Sequence, residues 1–258
     1  FGFQSSFRPH LVFPTHFVRS GYNTLGIGKV AHWETDDKEI WNYDQWDDHW
    51  YLYQGKEYNL MNASVLPDQT RKEEDFRDYK FTTRFIQGIE KVSKEKRETG
   101  KVFTARTEAI PWMAAIGFKL PHLNLHLPYK YYKMYDNDKS TALWKLTKKE
   151  LRFPASVNEV SYRCCAIPTY TPMVAEGTIR NDKSIPLGDI NMPFTDDMHN
   201  EIMKGYCGSI SYLDVQLGRI LDTLDRLQLW DDTIIVLTSD HGMHNGEKGI
   251  WEKWSLFD

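Results

Sequence analysis

The stretch Thr238-Ser239-Asp240-His241-Gly242 sets a carboxylate beside an imidazole directly after an apolar run. Asp240 offers a hard oxygen and neutral His241 a ring nitrogen, and both suit a divalent cation. Gly242 lets the backbone turn sharply away from the pair. A strand-end turn capped by Asp240 is the structural alternative. Further on, Gly246-Glu247-Lys248-Gly249-Ile250-Trp251-Glu252-Lys253 ends in a lysine placed to return toward Asp240 with positive charge for an anionic substrate. Taken alone, a lysine beside Glu252 reads as solvated surface.

Two more clusters follow the same pattern. Gly26-Ile27-Gly28 leads into Lys29 and His32, a cation and a titratable ring at i, i+3 spacing. Those types suit an anionic group whose ester is cleaved, with the histidine as acid or base. This is not a phosphate-cradling P-loop, since the spacing and the Ser or Thr of that motif are missing. Gly117-Phe118-Lys119-Leu120-Pro121-His122 repeats the arrangement. A histidine after proline is by itself more often structural. Three strand ends that each deliver Lys or His nevertheless point to one cleft, because open α/β sheets bind ligands at the carboxyl ends of their strands.

The elements that must position these residues are short. Tyr22–Gly28, 111–117 and 233–238 read as buried parallel strands, and the last, β-branched throughout its centre, is the clearest. Phe81, Phe85, Ile89 and Val92 recur at helical spacing, with Gly100 as a stop signal. A longer helix is expected from about residue 196 to 229, capped by Thr195. Ile202, Tyr206, Ile210, Leu213, Leu217, Leu221 and Leu224 form its apolar stripe. Strand, helix, strand, long helix, strand predicts an α/β domain with a mostly parallel sheet and helices on both faces. Residues 33–60, rich in Trp and Tyr, and residues 154–195, rich in Pro, read as long loops. The aromatic loop suits stacking on sugar rings or packing beneath itself.

Composition removes several classes. The 258 residues carry 32 Lys+Arg against 36 Asp+Glu, a net charge of −4, so nucleic acid is not the expected partner. No apolar run approaches the roughly 20 residues of a bilayer span. The 3 cysteines cannot make a disulfide framework, and Cys164-Cys165 and Cys207 form no Cys-x-x-Cys motif. Asn62-Ala63-Ser64 is a glycosylation sequon. The chain opens at Phe1 and closes at Asp258 in sequence that reads as internal, so a segment of a longer protein is expected.

Together these motifs resemble the sulfatase family of the alkaline phosphatase superfamily, on its iduronate-2-sulfatase branch. Ser20-Gly21-Tyr22-Asn23-Thr24 through Gly28-Lys29-Val30-Ala31-His32 is similar to an early family motif. Residues 111–127 resemble its strand followed by a His-Lys-Pro-His stretch. Tyr206–Leu229, with Ser211-Tyr212-Leu213-Asp214 and Gly218-Arg219, resembles a family helix. Ser239-Asp240-His241-Gly242, Gly246-Glu247, Gly249, Trp251, Lys253 and Phe257-Asp258 follow the closing motif in order. Two departures stand out. Lys119 aligns with the first histidine of the His-Lys-Pro-His stretch, His122 matching the second, and Asn124 replaces a usual proline. At an ordinary pKa of about 10.4, Lys119 would be a poor proton donor in that place.

The resemblance implies a sulfuric ester hydrolase acting on sulfated glycan with a bound calcium ion (Ca2+) and a formylglycine nucleophile. By match, Asp240 and His241 are calcium ligands, Lys29, Lys119 and Lys253 hold the sulfate, and His32 and His122 assist catalysis. The family's Asp-Asp metal pair and Cys-x-Pro-x-Arg nucleophile are not found in these 258 residues, and Cys165-Ala166-Ile167-Pro168-Thr169 is not that motif. Residues 1–258 are therefore expected to be the central part of a sulfatase catalytic domain, without its nucleophile segment and C-terminal subdomain. A lysosomal or secreted location is implied by resemblance. The alternatives are a non-catalytic sulfatase-like protein that binds sulfated glycan or serves a structural role, and a related phosphodiesterase. Nothing in the sequence specifies an oligomeric state.

Overall fold

The computed structural model describes residues 13–30, 41, 44–46, 52–53, 56–57, 62–63, 65–98, 111–122, 124–136, 169–170, 196–245 and 251–252. Its helices are α1 (Phe13–Arg19), α2 (Arg77–Glu98), α3 (Tyr129–Lys133) and α4 (Asp196–Arg226). The strands are β1 (Asn23–Gly28), β2 (Asp44–Trp46), β3 (Leu52–Tyr53), β4 (Lys56–Glu57), β5 (Asn62–Ala63), β6 (Val65–Asp68), β7 (Trp112–Gly117), β8 (Leu125–Pro128), β9 (Thr169–Tyr170), β10 (His244–Asn245) and β11 (Trp251–Glu252). Two compact units divide the chain. One comprises Phe1–Gln54, Lys72–Lys119 and Leu213–Ile235, and the other Gly55–Arg71, Leu120–Tyr212 and Val236–Asp258.

In the first unit β1 lies between β2 and β7 and runs parallel to both. Asn23 pairs with Trp112 and Gly28 with Gly117, so the two strands end side by side. From Thr24 onward β1 is buried throughout, as befits a parallel strand covered on both faces. Leu25 and Ile27 pack against Phe81, Phe85 and Ile89 of α2 and against Ile220, Leu224 and Leu229. Burying each such side chain is worth roughly 1.5–3 kcal/mol, so the α2 stripe read from the sequence is what seats that helix. Arg219 reinforces the seat. Its Nη2 donates to Thr83 Oγ1 at 2.8 Å, its Nη1 to Gln216 Oε1 at 2.7 Å, and the guanidinium stacks 3.8 Å from the Tyr79 ring centroid.

In the second unit β6 and β8 are parallel, with Val65 opposite Leu125 and Asp68 opposite Pro128. The early part of α4 lies close over them. A Cβ on Gly205 would stand 2.5 Å from Val65 Cγ1, and one on Gly208 would stand 2.8 Å from Leu127 Cδ1. This close approach changes the expected stripe of α4. Ser209, Tyr212, Gln216 and Ile220 are buried together with Ile202 and Leu224, whereas Ile210 of the predicted stripe is exposed. Packing depth is set by the glycines and Ser209, which a pattern of apolar residues overlooks.

At the corner of that pair, Asp68 Oδ1 accepts hydrogen bonds from Thr70 N at 2.7 Å and Thr70 Oγ1 at 2.8 Å. Its Oδ2 lies 3.4 Å from His126 Nε2. Burial alone would raise this carboxyl group's pKa. The hydrogen bonds from Thr70, His126 and the Arg71 N–H outweigh it and hold the value at about 2, against an ordinary 3.8. A depressed carboxylate stabilises the fold above its unfolded pKa and ceases to do so as pH falls through its folded one. Stability is therefore expected to decline between about pH 4 and about pH 2. Asp68→Asn should flatten that part of the profile, measured as unfolding midpoint against pH.

Two sequence expectations are corrected. Residues 233–238 form no strand in the structure. Ile234 is 92% exposed and Leu237 77%. A β-branched run favours extended backbone, but a strand exists only where a neighbour pairs with its N–H and C=O groups, and no described strand does. The segments expected to be long loops also contain strands: β2, β3 and β4 fall within 33–60, and β9 within 154–195. Parallel pairing with β1 is what makes a strand of β2. Among the described residues no helix is long and apolar enough to cross a membrane.

Candidate functional site

Where β1 and β7 end together, two glycines bring the backbones into contact. Gly28 has φ of +73°, and a Cβ there would also overlap the carbonyl oxygen of Gly117. A Cβ on Gly117 would overlap the carbonyl of Lys29. In that space the Lys29 N–H donates to Gly117 O at 2.8 Å, joining the two chains just past the last paired residues. Lys29 and Lys119 are thereby placed on adjacent strand ends.

Lys119 is anchored separately. Its backbone N–H donates to Asp78 Oδ1 at 2.7 Å, from the first turn of α2. Burial pulls the Lys119 ammonium down to about 8, with the charge of Arg77 pushing the same way, Asp78 opposing and Lys29 adding to the depression. The side chain thus gives up its proton at a lower pH than an ordinary lysine. The structure brings Lys29, Arg77 and Lys119 into one electrostatic neighbourhood, with the carboxylate of Asp78 in its midst.

Asp240 and His241 form the other pair. Asp240 Oδ2 lies 3.4 Å from His241 Nε2, and Asp240 Oδ1 accepts the His241 N–H at 3.0 Å. The second ring nitrogen, Nδ1, is 2.9 Å from Gly242 O. Asp240 is 78% exposed and His241 44%. Because residues 233–238 form no strand, this pair follows a largely exposed segment instead of a buried strand. His122 occupies the turn between β7 and β8 and is half-buried. His32 and Lys253 lie outside the described residues.

The Sulfatase family profile matches residues 4–257. The chain belongs to the sulfatase family. Iduronate 2-sulfatase of Homo sapiens is 29% identical over 276 residues, an alignment covering 100% of this chain and 46% of that enzyme. A sulfatase of Formosa agariphila is 23% identical over 95% of this chain and 44% of its own length. Choline-sulfatase of Rhizobium meliloti is 40% identical over 68 residues, which is 26% of this chain and 13% of that protein. The chain thus spans less than half the length of the relatives it matches throughout. Among solved structures, phosphonate monoester hydrolase of Agrobacterium radiobacter superposes with a TM-score of 0.53 at 17% identity, covering 95% of this chain and 50% of that one. The phosphonate monoester hydrolase of Silicibacter pomeroyi gives 0.54 at 16%. These likenesses establish a shared α/β fold and nothing about substrate.

Within this sulfatase-family chain the donor chemistry fits a metal in part. A carboxylate oxygen and an imidazole nitrogen are both metal donors, but calcium takes six to eight oxygens. Among the described residues no group of three or more His, Cys, Asp or Glu side chains converges. Asp240 and His241 would by themselves be two donors, short of a full coordination sphere among the described residues. Sequence reasoning did not single out Arg77 and Asp78, which the structure places at the start of α2 with their charges acting on Lys119. An acid in the first turn of a predicted helix, ahead of Phe81 and Phe85, is the signal that could have drawn attention to them.

Proposed function

We propose that this chain is part of a sulfuric ester hydrolase, iduronate-2-sulfatase-like, whose substrate is a sulfated glycan. The observation that carries the reading is the placement of Lys29 and Lys119 on the adjoining ends of parallel strands β1 and β7. Cleaving a sulfate ester leaves charge on the sulfate oxygens and on the departing alcohol oxygen. Fixed cations aimed at that charge stabilise it more in a partly buried site than in water. Lys29 and Lys119 bind the sulfate, Lys253 adds a further cation, and His32 and His122 move the protons that the leaving oxygen and the nucleophile require. Asp240 and His241 would hold the metal ion, calcium in this reading, which supplies Lewis-acid polarisation of a sulfate oxygen. The nucleophile expected of the family, a formylglycine, is not encoded by these 258 residues. A lysosomal or secreted enzyme bearing glycan on Asn62 accords with this reading.

Lys119 in place of a histidine favours a second reading, a sulfated-glycan binder without turnover. One experiment separates them. The intact protein, purified from its source, is given an aryl sulfate, a sulfated disaccharide and an aryl phosphodiester, each with and without EDTA. The hydrolase reading expects sulfate release that EDTA reduces by at least about tenfold and calcium restores. Binding of the sulfated disaccharide with no release would establish the binder instead, and preferential phosphodiester cleavage would overturn both.

A further inference from the structure

We propose that Asp78 is a positioning residue of the anion site: its buried carboxylate accepts the Lys119 N–H, fixing the backbone at the end of β7 and setting a negative charge against the lysine that adjoins Lys29. Asp78 is 2% exposed, and its Oδ1 accepts the Lys119 N–H at 2.7 Å across 41 positions of sequence. A buried carboxylate is costly unless hydrogen-bonded, so this acceptor is held where it is by need as well as by packing. The first turn of α2 suits it, since the positive end of a helix dipole favours an anion. Thr82 Oγ1 donates to the Asp78 carbonyl at 2.8 Å, steadying the same turn.

Among the described residues, the charges that act on Lys119 include Arg77 and Asp78 from α2 and Lys29 from the end of β1. Arg77 and Lys29, like burial, oppose protonation of Lys119, and Asp78 favours it. Without the carboxylate, Lys119 would hold its proton less firmly beside two cations, and its grip on an anion would weaken. The carboxylate offsets part of the repulsion that Lys29 exerts on Lys119. The consequence for sulfate rests on the function proposed above. The effect of Asp78 on Lys119 does not.

The protonation of Lys119 is read directly from the pH dependence of its acylation in the intact protein, quantified by peptide mass spectrometry. The wild-type midpoint is expected near 8. Asp78→Asn keeps an oxygen acceptor for the Lys119 N–H but removes the charge. Its midpoint should fall by about one pH unit, and the alkaline limb of kcat/KM for aryl sulfate should move with it. Asp78→Ala removes the acceptor too, and should add a lowered melting temperature. Arg77→Gln, which leaves Asp78 in place, should raise the midpoint and tests the same charge balance should the Asp78 variants fail to fold. An unchanged midpoint in folded Asp78→Asn, or in Arg77→Gln, would overturn the proposal. Lys119→Gln isolates the functional reading: undiminished sulfate turnover in that variant sinks the anion role of Lys119 while the midpoint shifts still stand.

Discussion

Alanine at Gly117 is expected to lower stability by about 2–4 kcal/mol, near the upper end of what one added methyl group does. The atoms its Cβ would overlap are the carbonyl of Lys29, with Val30 N 2.6 Å away. All are backbone, so no side chain can rotate to make room. Relief requires β1 and β7 to part at their ends, which breaks the 2.8 Å hydrogen bond from Lys29 N–H to Gly117 O. The same movement displaces Lys29 from Lys119, so sulfate affinity should fall along with stability. Gly218→Ala is the matched control. A Cβ there meets nothing within 4 Å, and within α4 alanine is favoured over glycine by up to about 1 kcal/mol. Urea unfolding of both variants beside wild type decides the matter: a Gly117→Ala midpoint equal to that of wild type would mean that the two strand ends are not tightly joined.

Removing the charge of Lys29 is the second large effect. Lys29→Ala should reduce kcat/KM for a sulfate ester by about 10²–10³, the usual loss when one fixed group that stabilises developing charge is deleted. The unfolding midpoint should change less than in Gly117→Ala, because the backbone hydrogen bond that joins the strand ends is kept. The pH profile supplies a signed check. Lys119 is a cation below about 8, so wild-type sulfate affinity should fall as pH rises through about 8 instead of near 10.5. Deleting Lys29 removes a charge that opposes protonation of Lys119, and the residual affinity of Lys29→Ala should therefore persist to higher pH. Equal turnover by wild type and Lys29→Ala would remove Lys29 from the site.

Local pattern carried much of this fold. Continuous apolar runs at 22–28 and 111–117 became β1 and β7, and the spacing of Phe81, Phe85, Ile89 and Val92 became the buried face of α2. Each depends on residues a few positions apart, which is the range over which hydrophobic period is informative. The same reasoning failed on α4, where Gly205, Gly208 and Ser209 meet the strands and Ile210 does not. It failed again at 233–238, where the sequence has the apolar, β-branched character of a strand but no described strand pairs with it.

The site divides along the same line. By sequence alone, Lys29, Lys119, Asp240 and His241 stood out as side chains with the chemistry for an anion and a metal, because charge and donor type belong to the residue. Sequence also determined the family, through motifs kept in order along the chain. Only the tertiary structure decided that Lys29 and Lys119 share one place, since that depends on the register of β1 against β7 and on two glycines that let carbonyls approach. Only the structure, too, revealed a buried Asp78 holding Lys119 and an ammonium lowered to about 8. Such properties arise from neighbours distant in sequence and from the exclusion of water, and no residue possesses them by itself.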